Sequence, residues 1–142
     1  MSRPIRVLFV CTGNSARSQI AEALLGQMGG DVFEVRSAGT HPRGVSPFAV
    51  DVLARVGIDW SHATSKSVET FVDEPFDYVI TVCDRARESC PAFLGAATSL
   101  HWSLEDPADV EGDDATRRAA FVLTRDEIAE RLGPFIDSAR RR

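Results

Sequence analysis

Short apolar runs alternate with segments of helical periodicity along most of the 142 residues, and this alternation constrains the fold more than any other feature. The apolar runs are of strand length and rich in β-branched residues, which is typical of strands buried in a sheet. We predict strands over 5–10, 33–37, 77–83 and 98–102. Helical spacing predicts helices over 15–28, 46–56 and 115–139, the last with Pro134 inside it, and a short helix over 84–89.

This order of elements predicts a single α/β domain over residues 1–142, with a four-stranded parallel sheet flanked by helices. Ligands of such sheets bind at the carboxyl ends of the strands. Cys11 and Cys83 follow or end the first and third predicted strands. We therefore expect the two thiols to lie close together at that edge.

Composition and charge narrow the class of protein. The chain is 44% hydrophobic and 26% charged, as globular proteins are, and its net charge of −5 argues against a nucleic-acid partner. It has neither a signal-peptide pattern nor an apolar run that could span a membrane, so we expect a cytoplasmic location and no membrane partner. In a reducing compartment, three cysteines indicate either thiol chemistry or inert buried thiols.

The segment from Cys11 to Ser18 combines a thiol, a tight turn and an arginine at the start of a predicted helix. Backbone amides and the helix N-terminus favour an anion there, and Arg17 offers a planar fork for a tetrahedral oxyanion. The same positive field favours the Cys11 thiolate at neutral pH, with Ser18 as a hydrogen-bond donor to it. The predicted oxyanion-binding residues are Thr12, Gly13, Asn14, Ser15, Ala16 and Arg17.

This segment matches the pattern C-x-G-N-x-x-R-S and closely resembles the phosphate-binding loop of low-molecular-weight protein tyrosine phosphatases. Two further motifs sharpen the resemblance, V-C-x6-C-P at residues 82–91 and H-W-x3-D-P at residues 101–107. Together they resemble the thioredoxin-coupled arsenate reductases, which share the phosphatase fold. The resemblance runs from about Ile5 to Phe135 and implies the strand order 2-1-3-4.

The resemblance also implies a mechanism. Cys11 attacks arsenate, Asp106 protonates the leaving oxygen, Cys83 attacks Cys11, and Cys90 then moves the disulfide to Cys83–Cys90 for reduction by thioredoxin or a similar dithiol protein. Phosphate and sulfate compete as oxyanions, and no cofactor is expected. A helix over 83–90 would rise about 10 Å, whereas a disulfide needs Cα atoms within about 7 Å. We therefore expect this segment to rearrange when it oxidises.

Other functions remain open at the level of sequence. The main alternative is a tyrosine or arginine phosphatase that hydrolyses phosphomonoesters through a Cys11 phospho-intermediate, although no tyrosine follows the Asp106-Pro107 pair. A non-enzymatic oxyanion-binding or thiol-sensing module would leave Asp106 without a role. Mycothiol or glutathione could replace thioredoxin as the reductant, but three cysteines favour a protein dithiol.

Four residues are predicted to support the loop. Asn14, Glu22 and Ser37 match positions that hold a structural potassium ion in some of these reductases, where an aspartate completes the site. Lys66 stands at that aspartate position, so we hypothesise that its ammonium replaces the ion and pairs with Glu22 or Asn14. The three histidines lack metal-ligand spacing, and no metal site is predicted.

Overall fold

A computed structural model describes residues 3–83, 86 and 98–141 and shows a parallel four-stranded sheet. The strands are β1 (Ile5–Cys11), β2 (Phe33–Gly39), β3 (Tyr78–Thr81) and β4 (Thr98–His101). Their spatial order is β2-β1-β3-β4, which confirms the predicted order. Strand β3 is shorter than predicted, because Val82 and Cys83 already lie beyond its last paired residue.

The helices agree with the predicted segments to within two residues at most ends. They are α1 (Arg17–Gly29), α2 (Pro47–Ala54) and α3 (Asp114–Arg140). Three short 3-10 turns were not predicted: Gly30–Val32, Val68–Phe71 and Pro107–Asp109. The predicted short helix over 84–89 lies outside the described residues except for Ala86.

Helix α3 continues through Pro134 to Arg140. Proline removes one backbone donor and disfavours a helix interior. The turn that follows is nevertheless held by packing, because Phe135 lies against Tyr78 and Trp102 with ring centroids 5.0 and 5.9 Å apart. Burial of aromatic side chains outweighs the lost hydrogen bond here.

The core forms around β1, one of the two strands with a neighbour on each side. Residues 7–10 of this strand are fully buried, as expected for a parallel sheet covered by helices. Helix α1 contributes Ile20 and Leu25, and α3 contributes Phe121 and Leu132. Within the described ranges, no helix has both the length and the apolar character required to cross a membrane.

The carboxyl ends of the strands bring the predicted functional segments to one edge. Cys11 is the last residue of β1 and pairs in register with Gly39, the last residue of β2. On the other side, the amide of Val82 donates to the carbonyl of Val10 at 2.9 Å, so Cys83 follows directly beside the loop that begins at Cys11. The two thiols therefore belong to one end of the sheet, as predicted.

Candidate active site

The loop over residues 11–16 connects β1 to α1 and places the first turn of the helix beneath Cys11. Helices α2 and α3 begin with side-chain caps, in which Ser46 accepts from the amide of Phe48 and Asp113 from that of Thr116. Helix α1 has no such cap, because its N-cap residue is Ala16. Since the first amides of a helix have no partner within it, those of α1 remain available to an anion.

The Cys11 sulfur is buried but has polar neighbours. Its side chain lies at 2% exposure, the amide of Asn14 donates to Sγ at 3.2 Å, and the Ser18 hydroxyl lies 2.8 Å away. Donors at these positions stabilise a sulfur anion more than a neutral thiol. The surroundings therefore suit a nucleophilic thiolate rather than an inert apolar thiol.

The direction of the Ser18 hydrogen bond follows from a chain of obligate donors. The backbone amide of Lys66 can only donate, and it lies 2.9 Å from Asn14 Oδ1, so this atom must be the amide oxygen. Asn14 Nδ2 then donates to Ser18 Oγ at 2.8 Å and to Ser37 Oγ at 3.0 Å. Because Ser18 Oγ already accepts from Asn14, its own proton is free to point at Cys11.

A second obligate donor fixes the neighbouring amide. The Trp60 indole N–H donates to Gln19 Oε1 at 2.9 Å, which orients Gln19 Nε2 towards Asn14 Oδ1 at 3.0 Å. Asn14, Ser18, Gln19 and Ser37 are fully buried. Every described buried polar side-chain atom in the molecule has a partner. The hydrogen bonds behind Cys11 thus form one satisfied network with a defined polarity.

Glu22 closes this network at its far end. Ser37 Oγ donates to Glu22 Oε1 at 2.5 Å. Burial raises the pKa of Glu22, and the Ser37 hydrogen bond together with the charges of Lys66, Arg36 and His62 partly opposes that rise. Glu22 is therefore held in a setting that favours its protonated form more than water does.

Lys66 contacts the loop in a way that the hypothesis above did not foresee. Its ammonium donates to the carbonyl of Thr64 at 2.8 Å and reaches neither Glu22 nor Asn14, whereas its backbone amide makes the bond to Asn14 Oδ1. The ammonium acts on Glu22 only through its charge. A sequence position identifies a residue, but it does not say whether its side chain or its backbone makes the contact.

Two backbone features fit the loop against the sheet. Asn14 has a positive φ of 46°, and asparagine is among the few side chains that tolerate this region. Gly39 lies so close to the loop that a Cβ there would come within 2.6 Å of the Thr12 carbonyl oxygen and 2.8 Å of the Asn14 nitrogen. Both neighbours are backbone atoms, so only glycine lets β2 end against the loop.

The open side of the loop is lined by charged side chains. Arg17 donates to the Leu104 carbonyl at 3.0 Å, and its guanidinium lies 3.3 Å from Asp106 Oδ2. Asp106 also accepts from the amide of Ala108 at 3.0 Å. The cleft above the thiol is lined by Cys11, Gly13, Ser15, Ala16, Arg17, Arg43, Asp106 and Ala108. The predicted anion site and the predicted acid therefore lie in one cleft.

Cys83 lies on the other flank of the loop. Its sulfur is buried, with Thr12 Oγ1 at 3.3 Å and the amide of Ala86 donating to it at 3.4 Å. A helical amide and a hydroxyl are donors suited to a thiolate. Cys90 lies outside the described residues.

The structure thus separates the residues predicted to bind an oxyanion into two groups. Gly13, Ser15, Ala16 and Arg17 line the cleft, whereas Thr12 faces Cys83 and the Asn14 side chain faces the network behind the thiol. The sequence interpretation missed Gln19, because a polar residue amid helical periodicity is usually exposed. It missed Trp60 because the contact of this residue with Gln19 spans 41 positions. It also missed Arg43, which no local pattern distinguishes from the other arginines.

Comparison with known proteins agrees with this geometry. Residues 6–142 match the family model of low molecular weight phosphotyrosine protein phosphatases. An arsenate reductase of Halalkalibacterium halodurans is 39% identical over 134 residues, which cover 94% of this chain and 96% of the relative.

Solved structures give the same result. An arsenate reductase in the phosphate binding state superposes with a TM-score of 0.80 at 32% identity, covering 94% of this chain and 98% of that one. The thioredoxin-dependent arsenate reductase of Corynebacterium glutamicum has a TM-score of 0.68 at 31% identity and covers 98% and 65% of the two chains. An arginine phosphatase of Geobacillus stearothermophilus scores 0.77 at 25% identity, covering 96% and 94%. With the loop, the cleft and these similarities together, the chain belongs to the low molecular weight phosphotyrosine protein phosphatase family, and its relatives in that family include arsenate reductases.

Proposed function

We propose that this protein reduces arsenate to arsenite through a relay of three cysteines, with an external dithiol protein as the electron donor. The observation that carries the proposal is the second buried thiol beside the anion loop. Cys83 is held there by Thr12 and by the amide of Ala86. Hydrolysis of a phosphate ester needs one nucleophile, whereas reduction of a bound oxyanion needs a second thiol to form a disulfide.

The first step is attack by the Cys11 thiolate on arsenic. The loop amides and Arg17 hold the tetrahedral anion above Sγ, and the Ser18 hydroxyl and the Asn14 amide hold the attacking sulfur in place. A sulfur–arsenic bond forms as one oxygen leaves as water, and Asp106, which borders the cleft, supplies its proton.

The second step transfers two electrons to arsenic. The Cys83 thiolate attacks Cys11 Sγ, a sulfur–sulfur bond forms, and the sulfur–arsenic bond breaks with its electron pair retained by arsenic. Arsenite leaves, and a Cys11–Cys83 disulfide remains. Thr12, the residue after Cys11, contacts Cys83 Sγ at 3.3 Å, so the second thiol lies beside the loop that carries the first.

The third step regenerates the site. The Cys90 thiolate attacks Cys83, which releases Cys11 as a thiolate and forms a Cys83–Cys90 disulfide. A thioredoxin-type dithiol then reduces that disulfide by exchange and becomes oxidised itself. A similar solved structure is described as a thioredoxin-dependent arsenate reductase, which supports this class of reductant. Such a relay requires a reducing compartment, so the proposal places the protein in the cytoplasm.

The decisive experiment is Cys83→Ser. The variant should lose arsenate-dependent consumption of NADPH in an assay with thioredoxin and thioredoxin reductase, and it should keep hydrolysis of an aryl phosphate. The serine hydroxyl cannot form a disulfide with Cys11, whereas the anion loop and Asp106 are unchanged. Replacing thioredoxin by a glutaredoxin-type system in the same assay identifies the reductant.

Cys11→Ser serves as the reference, because it should lose both activities. If Cys83→Ser retains arsenate turnover, the relay is wrong. A variant that loses both activities would instead assign Cys83 a structural role.

The second candidate function is hydrolysis of phosphomonoesters through a Cys11 phospho-intermediate. The family model supports it, and so does the cleft, since the anion loop and an acid suffice for that reaction. Some aryl phosphatase activity is expected under both functions. The second function would take precedence if wild-type protein hydrolysed phosphoesters but oxidised no reductant in the presence of arsenate.

A further inference from the structure

Arg43 extends over the anion loop from the segment that follows β2. This segment, residues 40–46, runs alongside the loop and is joined to it by four backbone hydrogen bonds. The amides of 40, 41, 43 and 46 donate to the carbonyls of 11, 12, 13 and 15 at distances of 2.8–3.1 Å. The backbone of Arg43 is therefore fixed relative to the anion loop to the same degree as a strand is fixed in a sheet.

The side chain of Arg43 crosses directly above Gly13. A Cβ on Gly13 would come within 2.6 Å of Arg43 Nε, so the absence of a side chain at position 13 makes room for the guanidinium. The guanidinium reaches 3.9 Å from Asp106 Oδ2 and lines the cleft together with Cys11 and Arg17. It thus lies at the mouth beside Asp106, the residue proposed above to protonate the leaving oxygen.

The two arginines of the cleft differ in exposure and in the contacts they already make. The Arg17 side chain is 11% exposed and already bonded to Leu104, whereas that of Arg43 is 63% exposed. Among the residues that the structure describes, the one acidic group within ion-pair distance of Arg43 is Asp106, at the long end of that range. Such a pairing is weak in water, so the Arg43 guanidinium can transfer to a bound anion.

We propose that Arg43 binds the outward-facing oxygen of an inorganic oxyanion and so selects arsenate or phosphate over organic phosphomonoesters. The inference rests on the proposed reaction in one respect, namely that the reacting substrate is inorganic. In arsenate and phosphate the outward oxygen can carry charge and accept a bidentate or single bond from the guanidinium. In a monoester the same position is the ester oxygen, which carries an organic group and no charge, and this group must displace Arg43.

Charge supports the same assignment. The protein has a net charge of −5, and the anion must approach a thiolate. An exposed cation at the mouth offsets this repulsion and raises the local concentration of the substrate. Arg17, which lies deeper and is bonded to Leu104, is less suited to capture an anion from solvent.

The test measures binding of two probes, inorganic phosphate and phenyl phosphate, by calorimetry or by ligand-dependent shifts of Tm. Arg43→Ala should raise the Kd for inorganic phosphate about 10-fold and should change the Kd for phenyl phosphate by less than about two-fold. Arg43→Lys should keep part of the affinity, because it retains the charge without the fork. The KM for arsenate should rise with the phosphate Kd, whereas kcat should change less.

Arg55→Ala is the matched control, since Arg55 is also a largely exposed arginine, is absent from the cleft lining and pairs with Asp51 of α2. Its phosphate affinity should equal that of the wild type. Equal losses for both probes in Arg43→Ala, or no loss for either, would overturn the proposal. Because the test measures the binding of the two probes and not turnover, its result does not depend on whether the protein reduces arsenate.

Discussion

The two sides of Cys11 are built from different chemistry. Behind the thiol, Asn14, Ser18, Gln19 and Ser37 are fully buried and satisfy one another. In front of it, the cleft has charged side chains: Arg17 and Asp106 pair with each other, and the Arg43 guanidinium is mostly exposed. The buried side fixes where the sulfur is and which proton points at it, and the open side provides the groups that meet the substrate.

The difference teaches that position and affinity are separable in this site. A neutral, satisfied network holds geometry because every change leaves a buried polar atom without a partner. The charged cleft stabilises an anion, and its mostly exposed cation, Arg43, contributes little to folding. Substitutions on the open side should therefore change activity more than stability, and substitutions on the buried side should do the reverse.

The largest expected effect comes from the open side. Arg17→Ala should lower kcat/KM for arsenate and for an aryl phosphate by about 10²–10³-fold, because a donor to the developing charge is lost. Its free energy of unfolding should fall by about 2 kcal/mol, since the hydrogen bond to Leu104 and the pairing with Asp106 are both lost. Steady-state kinetics and urea unfolding measure the two quantities. The kcat/KM of Arg17→Lys should lie between those of Arg17→Ala and the wild type. If Arg17→Ala lost as much free energy of unfolding as transition-state stabilisation, the contrast between the two sides would be wrong.

On the buried side, Asn14→Ala should lower the free energy of unfolding by about 3 kcal/mol, since it leaves the Lys66 amide and neighbouring groups without partners. Asn14→Gly removes the same bonds but accommodates the positive φ. Its free energy of unfolding should therefore be about 1 kcal/mol higher than that of Asn14→Ala. Urea unfolding of the pair separates the side-chain network from backbone strain. Equal stability of the two variants would show that the backbone angle contributes nothing.

The smallest effect concerns Glu22 at the end of the network. Burial raises the pKa of Glu22 above its ordinary value of 4.5, so the folded protein binds this proton more tightly than the unfolded chain does. The associated stabilisation is present below that value and is lost as the pH rises through the folded pKa. Stability of the wild type relative to Glu22→Gln should therefore decrease with rising pH above 4.5.

Urea unfolding of both proteins across this range measures the trend. Glu69→Gln, at an exposed position of the 3-10 turn Val68–Phe71, should follow the wild type throughout. If the wild type instead became more stable relative to Glu22→Gln as the pH rises, the predicted direction would be wrong.

The sequence was sufficient for the fold and for the groups that act along one stretch of chain. The strand order is the one that the family resemblance implies. The positions of Cys11 and Arg17 follow from a local pattern, because a strand, a turn and a helix start occupy consecutive residues. The family was also predicted correctly. The roles assigned to the individual cysteines and to Asp106 remain predictions that the experiments above address.

The rest could not be read from the chain because it depends on contacts between distant segments. Trp60 meets Gln19 across 41 positions, and Arg43 reaches the cleft only because its loop is paired with the anion loop. Lys66 shows the same limit at the level of a single residue. We hypothesised from the sequence that the charge of the Lys66 ammonium supports the loop. The group that orients Asn14 is instead the backbone amide of Lys66, which any residue except proline would provide.

The backbone pairing between residues 40–46 and the anion loop has a consequence for how this scaffold tolerates changes of length. Surface loops usually accept insertions at little cost. Here one extra residue before position 43 would slip the ladder and turn the arginine away from the cleft mouth. Homologues with longer segments at this point would then present another residue to the incoming ester, so the length of a connection, rather than any catalytic group, becomes a means of changing what the scaffold accepts.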